Sequence, residues 1–199
     1  GVNFFDTAEM YPVPPVAETQ GRTEQYIGHW LRQRGKRDDI VLASKATGQG
    51  HEHIRQAAGL TRDSLLAAFE GSLARLQTDY LDLYQIHWPN RETNFFGKLG
   101  YQYSEDSHDV LANQHELLAT LADLVAAGQI KTVGLSNETP WGVMNFLRLA
   151  DRYALPRVVS IQNPYNLLNR SFEVGLAEMA MRERVGLLAY SPLAFGVLA

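Results

Sequence analysis

Three ionisable residues close three apolar runs of the 199-residue sequence. Asp6 ends Val-Asn-Phe-Phe-Asp, Lys45 ends Ile-Val-Leu-Ala-Ser-Lys, and His87 ends Leu-Tyr-Gln-Ile-His. One polar residue at a strand end is ordinary, since it can face solvent or a neighbouring helix; three in succession form a pattern. Period-two alternation puts Val41, Ala43 and Lys45 on one face of their strand, and Leu83, Gln85 and His87 on one face of theirs. Strands sharing a rim would therefore bring the three tips together. An ammonium buried beside a carboxylate adds little stability, because both ions lose their hydration. Tyr11, five positions after Asp6, gives such a pair a use. A phenol titrates near ~10, and a close ammonium favours the phenolate, so Tyr11 is expected to be an acid strong enough to protonate a carbonyl oxygen near neutral pH. His87 would donate a hydrogen bond to the same oxygen.

The elements that must position these groups alternate along the chain. Strand-like runs cover 2–6, 40–45, 80–87, 131–136, 157–162 and 185–191, each too apolar to have a wet face. Helical segments lie between them, beginning with 21–34. Leu65, Leu66, Phe69, Leu73 and Leu76 make one helical stripe, and Leu117, Leu118, Leu121, Leu124 and Val125 make another, stopped by Gly128. Thr61 and Thr139 suit N-caps, the latter before Pro140. Arg32, Arg34, Lys36 and Arg37 surround Gly35, which reads as a helix end where cations complement the dipole.

The order βαβαβαβαβαβ predicts an α/β fold with right-handed crossovers. A doubly wound sheet could hold six strands, but it normally carries a glycine-rich first turn, and no G-x-G-x-x-G is present. The expectation is a (β/α)8 TIM barrel forming one domain over 1–199, of which about six βα units are present and the first strand and last unit are missing. Two long connections follow strands, at the active-site end of a barrel. The first, 7–21, is rich in proline; the second, 89–112, carries Phe95, Phe96, Tyr101 and Tyr103 and reads as a lid or binding loop.

Composition narrows the chemistry. The formal net charge of -4 argues against nucleic acid or an anionic membrane as partner, and no apolar run approaches membrane-spanning length. Without cysteine there is no thiolate catalysis and no thiolate metal site. His51 and His53 form H-x-H, and His115 precedes Glu116. Neither stretch has the later histidine of H-E-x-x-H, so no metal is assigned. Trp88 is a candidate wall for a substrate pocket. Glu9 and Glu70 read as surface.

The tetrad of Asp6, Tyr11, Lys45 and His87 resembles that of the aldo-keto reductases, and the likeness runs the length of the chain. Residues 3–11, Asn-Phe-Phe-Asp-Thr-Ala-Glu-Met-Tyr, resemble the family's opening signature. Ala-Ser-Lys at 43–45 and Asp-Leu-Tyr-Gln-Ile-His-Trp-Pro at 82–89 resemble its lysine and histidine strands. Ala-Gly-Gln-Ile-Lys-Thr-Val-Gly-Leu-Ser-Asn at 127–137 resembles the second signature. That likeness implies that Ser136, Asn137 and Gln162 hold a nicotinamide carboxamide, with Asp6 beside the ring. It also implies that Tyr190 stacks on the ring and that Ser191, Pro192 and Leu193 lie near the pyrophosphate. Details such as Asn-Pro-Tyr-Asn-Leu-Leu-Asn-Arg lean toward a bacterial branch.

The resemblance implies a cytoplasmic oxidoreductase using NADPH/NADP+ on a small-molecule carbonyl substrate. The segment that usually grips the 2′-phosphate is not in the sequence. Two other readings stay open: a Schiff-base lyase using Lys45 as its amine, and a non-enzymatic nucleotide-binding redox sensor.

Overall fold

The protein is described by a computed structural model covering residues 1–106 and 108–199. Its strands are β1 (Phe4–Asp6), β2 (Val41–Ala46), β3 (Leu81–Ile86), β4 (Ile130–Ser136), β5 (Val158–Pro164) and β6 (Gly186–Tyr190). Between them run α1 (Arg22–Arg34), α2 (Arg62–Leu76), α3 (Val110–Ala126), α4 (Pro140–Tyr153) and α5 (Phe172–Glu183). All neighbouring strands are parallel and follow one another in chain order, β1-β2-β3-β4-β5-β6. A doubly wound sheet reverses its order at a switch point, and this one does not. The sheet is the partial TIM barrel expected from the βα alternation. No helix among the described residues is long and apolar enough to cross a membrane.

The main core lies between the outer face of the sheet and the helices. Leu42, Ala46, Tyr84, Ile86, Val133, Leu135 and Ile161 face outward and pack with Leu65, Phe69, Leu117, Leu118, Leu121, Val143, Phe146 and Leu147. Each large side chain so buried contributes roughly 1.5–3 kcal/mol. The helix ends follow their sequence signals. Thr61 accepts the Ser64 N–H, Thr139 accepts the Gly142 N–H ahead of Pro140, and Gly35 ends α1 in the left-handed conformation.

The inner face is more polar than six apolar runs led us to expect. Pairing aligns Lys45 with Gln85, Gln85 with Gly134, Gly134 with Ser160, and Ser160 with Gly186, which makes one inward rung. The next rung carries His87, Ser136 and Gln162. Gly134 is small for a reason: a Cβ there would come within 3.0 Å of Gln85 Cγ and 2.8 Å of Ser160 Oγ. The strands β1 and β6 are less enclosed than the four between them. They are the outer strands of the sheet, with one neighbour each, and their residues are largely exposed or half-buried.

Candidate active site

Parallel pairing delivers the three strand-end residues to one rim. Asp6 aligns with Ala43, so its side chain reaches toward Lys45 two residues further along β2. Lys45 Nζ donates to Asp6 Oδ2 at 2.5 Å and to the Thr7 carbonyl at 2.8 Å. The lysine side chain is 0% exposed and the aspartate 26%, so the ammonium is enclosed and the carboxylate stays partly in contact with solvent. Gln85 Nε2 holds the other carboxylate oxygen, Oδ1, at 2.9 Å, while its Cγ lies against Gly134 on the other side.

The first loop continues the β1 ladder along β2. Thr7 N–H donates to Ala43 O and Glu9 N–H to Lys45 O, which carries Tyr11 over the rim. The Tyr11 ring meets His87 edge-on at 5.7 Å between centroids, with Lys45 Nζ 5.0 Å from the Tyr11 centroid. A second, smaller core of Ala8, Met10, Ile54 and Trp88, flanked by Tyr11 and Phe95, sits above the barrel mouth and fixes the loop there. Trp88 is buried in this core and donates from Nε1 to Gln49 O at 3.2 Å. Phe95 and Phe96 pack on Trp88, whereas Tyr101 and Tyr103 of the same connection stand exposed.

The electrostatics correct one expectation. Tyr11 is not lowered toward neutrality but pushed up to about 12, first by burial and then by the Asp6 carboxylate and Tyr190. Lys45 spends its charge on Asp6 and Thr7, and burial lowers its own pKa. His87 is held well below the ordinary imidazole value by burial, by the Lys45 cation and by His51, so it is neutral at physiological pH. Its Nδ1 is buried without a hydrogen-bond partner.

Beside this cluster, β4, β5 and β6 present a second group. Ser136 Oγ and Asn137 N–H both donate to Gln162 O at 2.9 Å, and Asn137 Nδ2 donates to His87 O at 2.9 Å. Asn137 adopts a left-handed φ of 55°, which asparagine tolerates better than most residues. The Tyr190 hydroxyl donates to Asn137 Oδ1 at 2.8 Å, spanning from β6 to β4. The Gln162 side chain is buried between them. Ser191 is half-buried, with its carbonyl accepting from Asn166 Nδ2, while Pro192 and Leu193 stay exposed and outside this group.

Several participants escaped the sequence reading. Glu9 is not on the surface: it is buried, accepts the Thr47 N–H at 2.9 Å and pairs with Arg55, whose guanidinium also donates to Thr47 O. Gln85, Arg91 and Glu138 were likewise not singled out. For Gln85 a signal was present, because it precedes His87 by two and shares its face. Glu70 is exposed, as expected.

Comparison with known proteins places this architecture. The family model described as Aldo/keto reductase family matches residues 1–199. Protein tas of Escherichia coli is 54% identical over 201 residues, an alignment covering 100% of this chain and 58% of that protein. A thermostable aldo-keto reductase, Tm1743, solved with the inhibitor epalrestat, superposes with a TM-score of 0.71 at 31% identity, over 98% of this chain and 57% of its own. An aldo/keto reductase from Klebsiella pneumoniae, solved with NADP and acetate, gives 0.70 at 30% identity over 100% and 56%. The chain thus spans little more than half the length of these relatives. It belongs to the aldo/keto reductase family.

Proposed function

We propose that the protein is an NADP(H)-dependent oxidoreductase that moves hydride between a nicotinamide and the carbonyl carbon of an aldehyde or ketone, or the corresponding alcohol in reverse. The observation that carries this reading is the adjacency, on one rim, of the Asp6, Tyr11, Lys45 and His87 cluster and the Ser136, Asn137, Gln162 and Tyr190 group. The second group suits a nicotinamide. Its amide and hydroxyl side chains match the donors and acceptors of a carboxamide, and the Tyr190 ring offers a flat face beside them. A bound nicotinamide supplies or accepts the hydride. The choice of NADP over NAD is supported by the NADP-bound relative from Klebsiella pneumoniae.

In this reading Tyr11 is the proton donor. With its pKa pushed up to about 12, it is fully protonated at neutral pH. An oxygen developing alkoxide character is more basic than a phenolate, so the proton moves downhill as charge accumulates. Lys45, fixed by Asp6, stands where it offsets the phenolate left behind. Neutral His87 offers one N–H to the same oxygen without adding a charge. Asp6 fixes Lys45, and Trp88 with Phe95 shields the region above His87 from water.

Against a Schiff-base role for Lys45 stands its enclosure, since an amine held by a carboxylate and a carbonyl is not free to attack. The test is direct. The intact protein should oxidise NADPH in the presence of a panel of aldehydes, and borohydride should trap no substrate on Lys45. Tight nucleotide binding without turnover would favour the sensor reading, and covalent trapping the lyase.

A further inference from the structure

Among the described residues, the most enclosed ion pair outside the tetrad joins Arg91 and Glu138. Its side chains are 6% and 3% exposed, and the contact is two-pronged: Arg91 Nη1 to Glu138 Oε1 at 2.5 Å and Nη2 to Oε2 at 2.8 Å. Two-pronged contacts fix orientation as well as distance. Arg91 follows His87 by four residues, and Glu138 immediately follows Asn137. Asn137 Nδ2 already donates to His87 O, so the ends of β3 and β4 are cross-linked at two points. A third tie runs from Asn163 Nδ2 to Glu138 O at 3.1 Å, bringing in the end of β5. Arg91 Nη2 also donates to Thr139 Oγ1 at 2.9 Å, the oxygen that caps α4, and its guanidinium lies 4.9 Å from the Trp141 ring centroid.

The carboxylate is given its own space. A Cβ on Gly142 would fall 2.0 Å from Glu138 Oε2, so the first turn of α4 carries no side chain at the point where the glutamate lies. Buried pairs of this kind add little net stability. This one lines a small cavity at the barrel mouth together with Ile86, Leu117 and Phe146 of the main core, and the segment it fastens includes Asn137 in its left-handed conformation. Such strained residues persist where surrounding contacts over-determine them.

We infer that Arg91 and Glu138 are positioning residues, which hold the Ser136 and Asn137 turn at a fixed distance and angle from His87 and so set the affinity for the nicotinamide. The inference rests on the functional reading above and assigns to the pair a role in cofactor binding, separate from proton transfer. Three substitutions disturb the pair in different ways. Glu138→Gln keeps the shape and removes the charge. Arg91→Lys keeps the charge and removes the two-pronged grip. Gly142→Ala keeps both charges but takes the space of the carboxylate, while raising helix propensity, so a loss there cannot be laid to a weaker α4.

In the intact protein, each variant should raise the NADPH dissociation constant, followed by fluorescence titration, by about tenfold, the size of one weakened charge-assisted contact. KM for NADPH should rise in parallel, with kcat at saturation within about twofold. Variants that melt cooperatively yet bind NADPH as tightly as the parent would overturn the inference, as would a fall in kcat at unchanged KM. Hydrogen exchange on the unaltered protein gives a readout independent of any variant's folding. NADPH should slow exchange at residues 135–139 and 88–92 together, and protection confined to 135–139 would overturn the coupling. Failure of the unaltered protein to bind NADPH would instead sink the functional reading first, and the inference with it.

Discussion

The two ends of β3 handle charge in opposite ways. At its start Asp82 is saturated: Oδ2 accepts the Leu42 N–H at 2.9 Å and Arg37 at 2.8 Å, Oδ1 accepts Lys131 at 2.7 Å, and its carbonyl accepts the Thr132 hydroxyl. At its far end Gln85 Oε1 and His87 Nδ1 are buried with no partner, as are Thr7 Oγ1 and Thr47 Oγ1 close by. A buried polar atom left unpaired costs about 1–3 kcal/mol. The same strand therefore carries a network closed at the Asp82 oxygens, although Arg37 Nε beside them is buried without a partner, and an open one whose groups are left available, as barrel enzymes divide their two faces.

Substitutions at the two ends should separate these roles. The largest effect belongs to the open end: Tyr11→Phe should lower kcat for aldehyde reduction by ~10² or more, with NADPH affinity nearly unchanged, because only the proton donor is lost. Steady-state kinetics beside a binding titration would reveal the alternative, normal turnover, which removes Tyr11 from the chemistry. At the closed end, Asp82→Ala should reverse the pattern. Stability should drop by about 2–4 kcal/mol, discounted because Lys131 is largely exposed, with kcat/KM of the folded fraction preserved. Denaturant titration measures the first quantity; a catalytic defect matching that of Tyr11→Phe would abolish the distinction between the ends.

A smaller effect is expected at Gly48, where a Cβ would meet Trp88 Nε1 at 2.3 Å. Gly48→Ala should displace the indole, cost about 1–3 kcal/mol and raise KM for the carbonyl substrate while leaving KM for NADPH alone. Equal changes in both constants would argue that Trp88 belongs to the nicotinamide side.

Acid should sharpen the comparison with the smallest effect. His87 and His51 are held below the ordinary imidazole value of about 6.5. As pH falls below that value the unfolded chain takes up protons that the native state refuses, and stability declines. Asp82 differs: burial pushes it up, but Lys131, the Leu42 N–H and Arg37 together hold it below the usual carboxylate range. Its contribution is present above the unfolded value near ~4 and is lost as pH falls through the lower folded value. Melting temperatures should therefore fall in two separate pH windows, the upper one flattened by His87→Gln and the lower one by Asp82→Ala.

Much of this was legible in the residues themselves. Apolar runs with period-two alternation located all six strands to within two residues or so, and Thr61, Gly35 and Thr139 marked helix ends through local chemistry. Asp6, Lys45 and His87 stood out because each is charged or titratable at the end of an apolar run. Arg91 and Glu138 gave no such signal. They lie 47 positions apart in polar stretches, and nothing local distinguishes a loop arginine facing solvent from one enclosed against a carboxylate. Glu9 was misjudged for a related reason, since its burial comes from Arg55 and the Thr47 backbone, more than 35 positions away. The direction of the Tyr11 shift was misjudged because type and spacing convey a nearby charge but not the water lost on burial.

That strand order repeats chain order has a consequence for how the protein is made. Each strand docks only on the one before it, so every βα unit leaving the ribosome meets a sheet edge already in place. At ~5–20 residues per second, a unit of this size emerges within seconds, far longer than a helix or a local loop needs to form. Assembly can therefore keep step with synthesis, each new strand covering the edge that its predecessor briefly exposed.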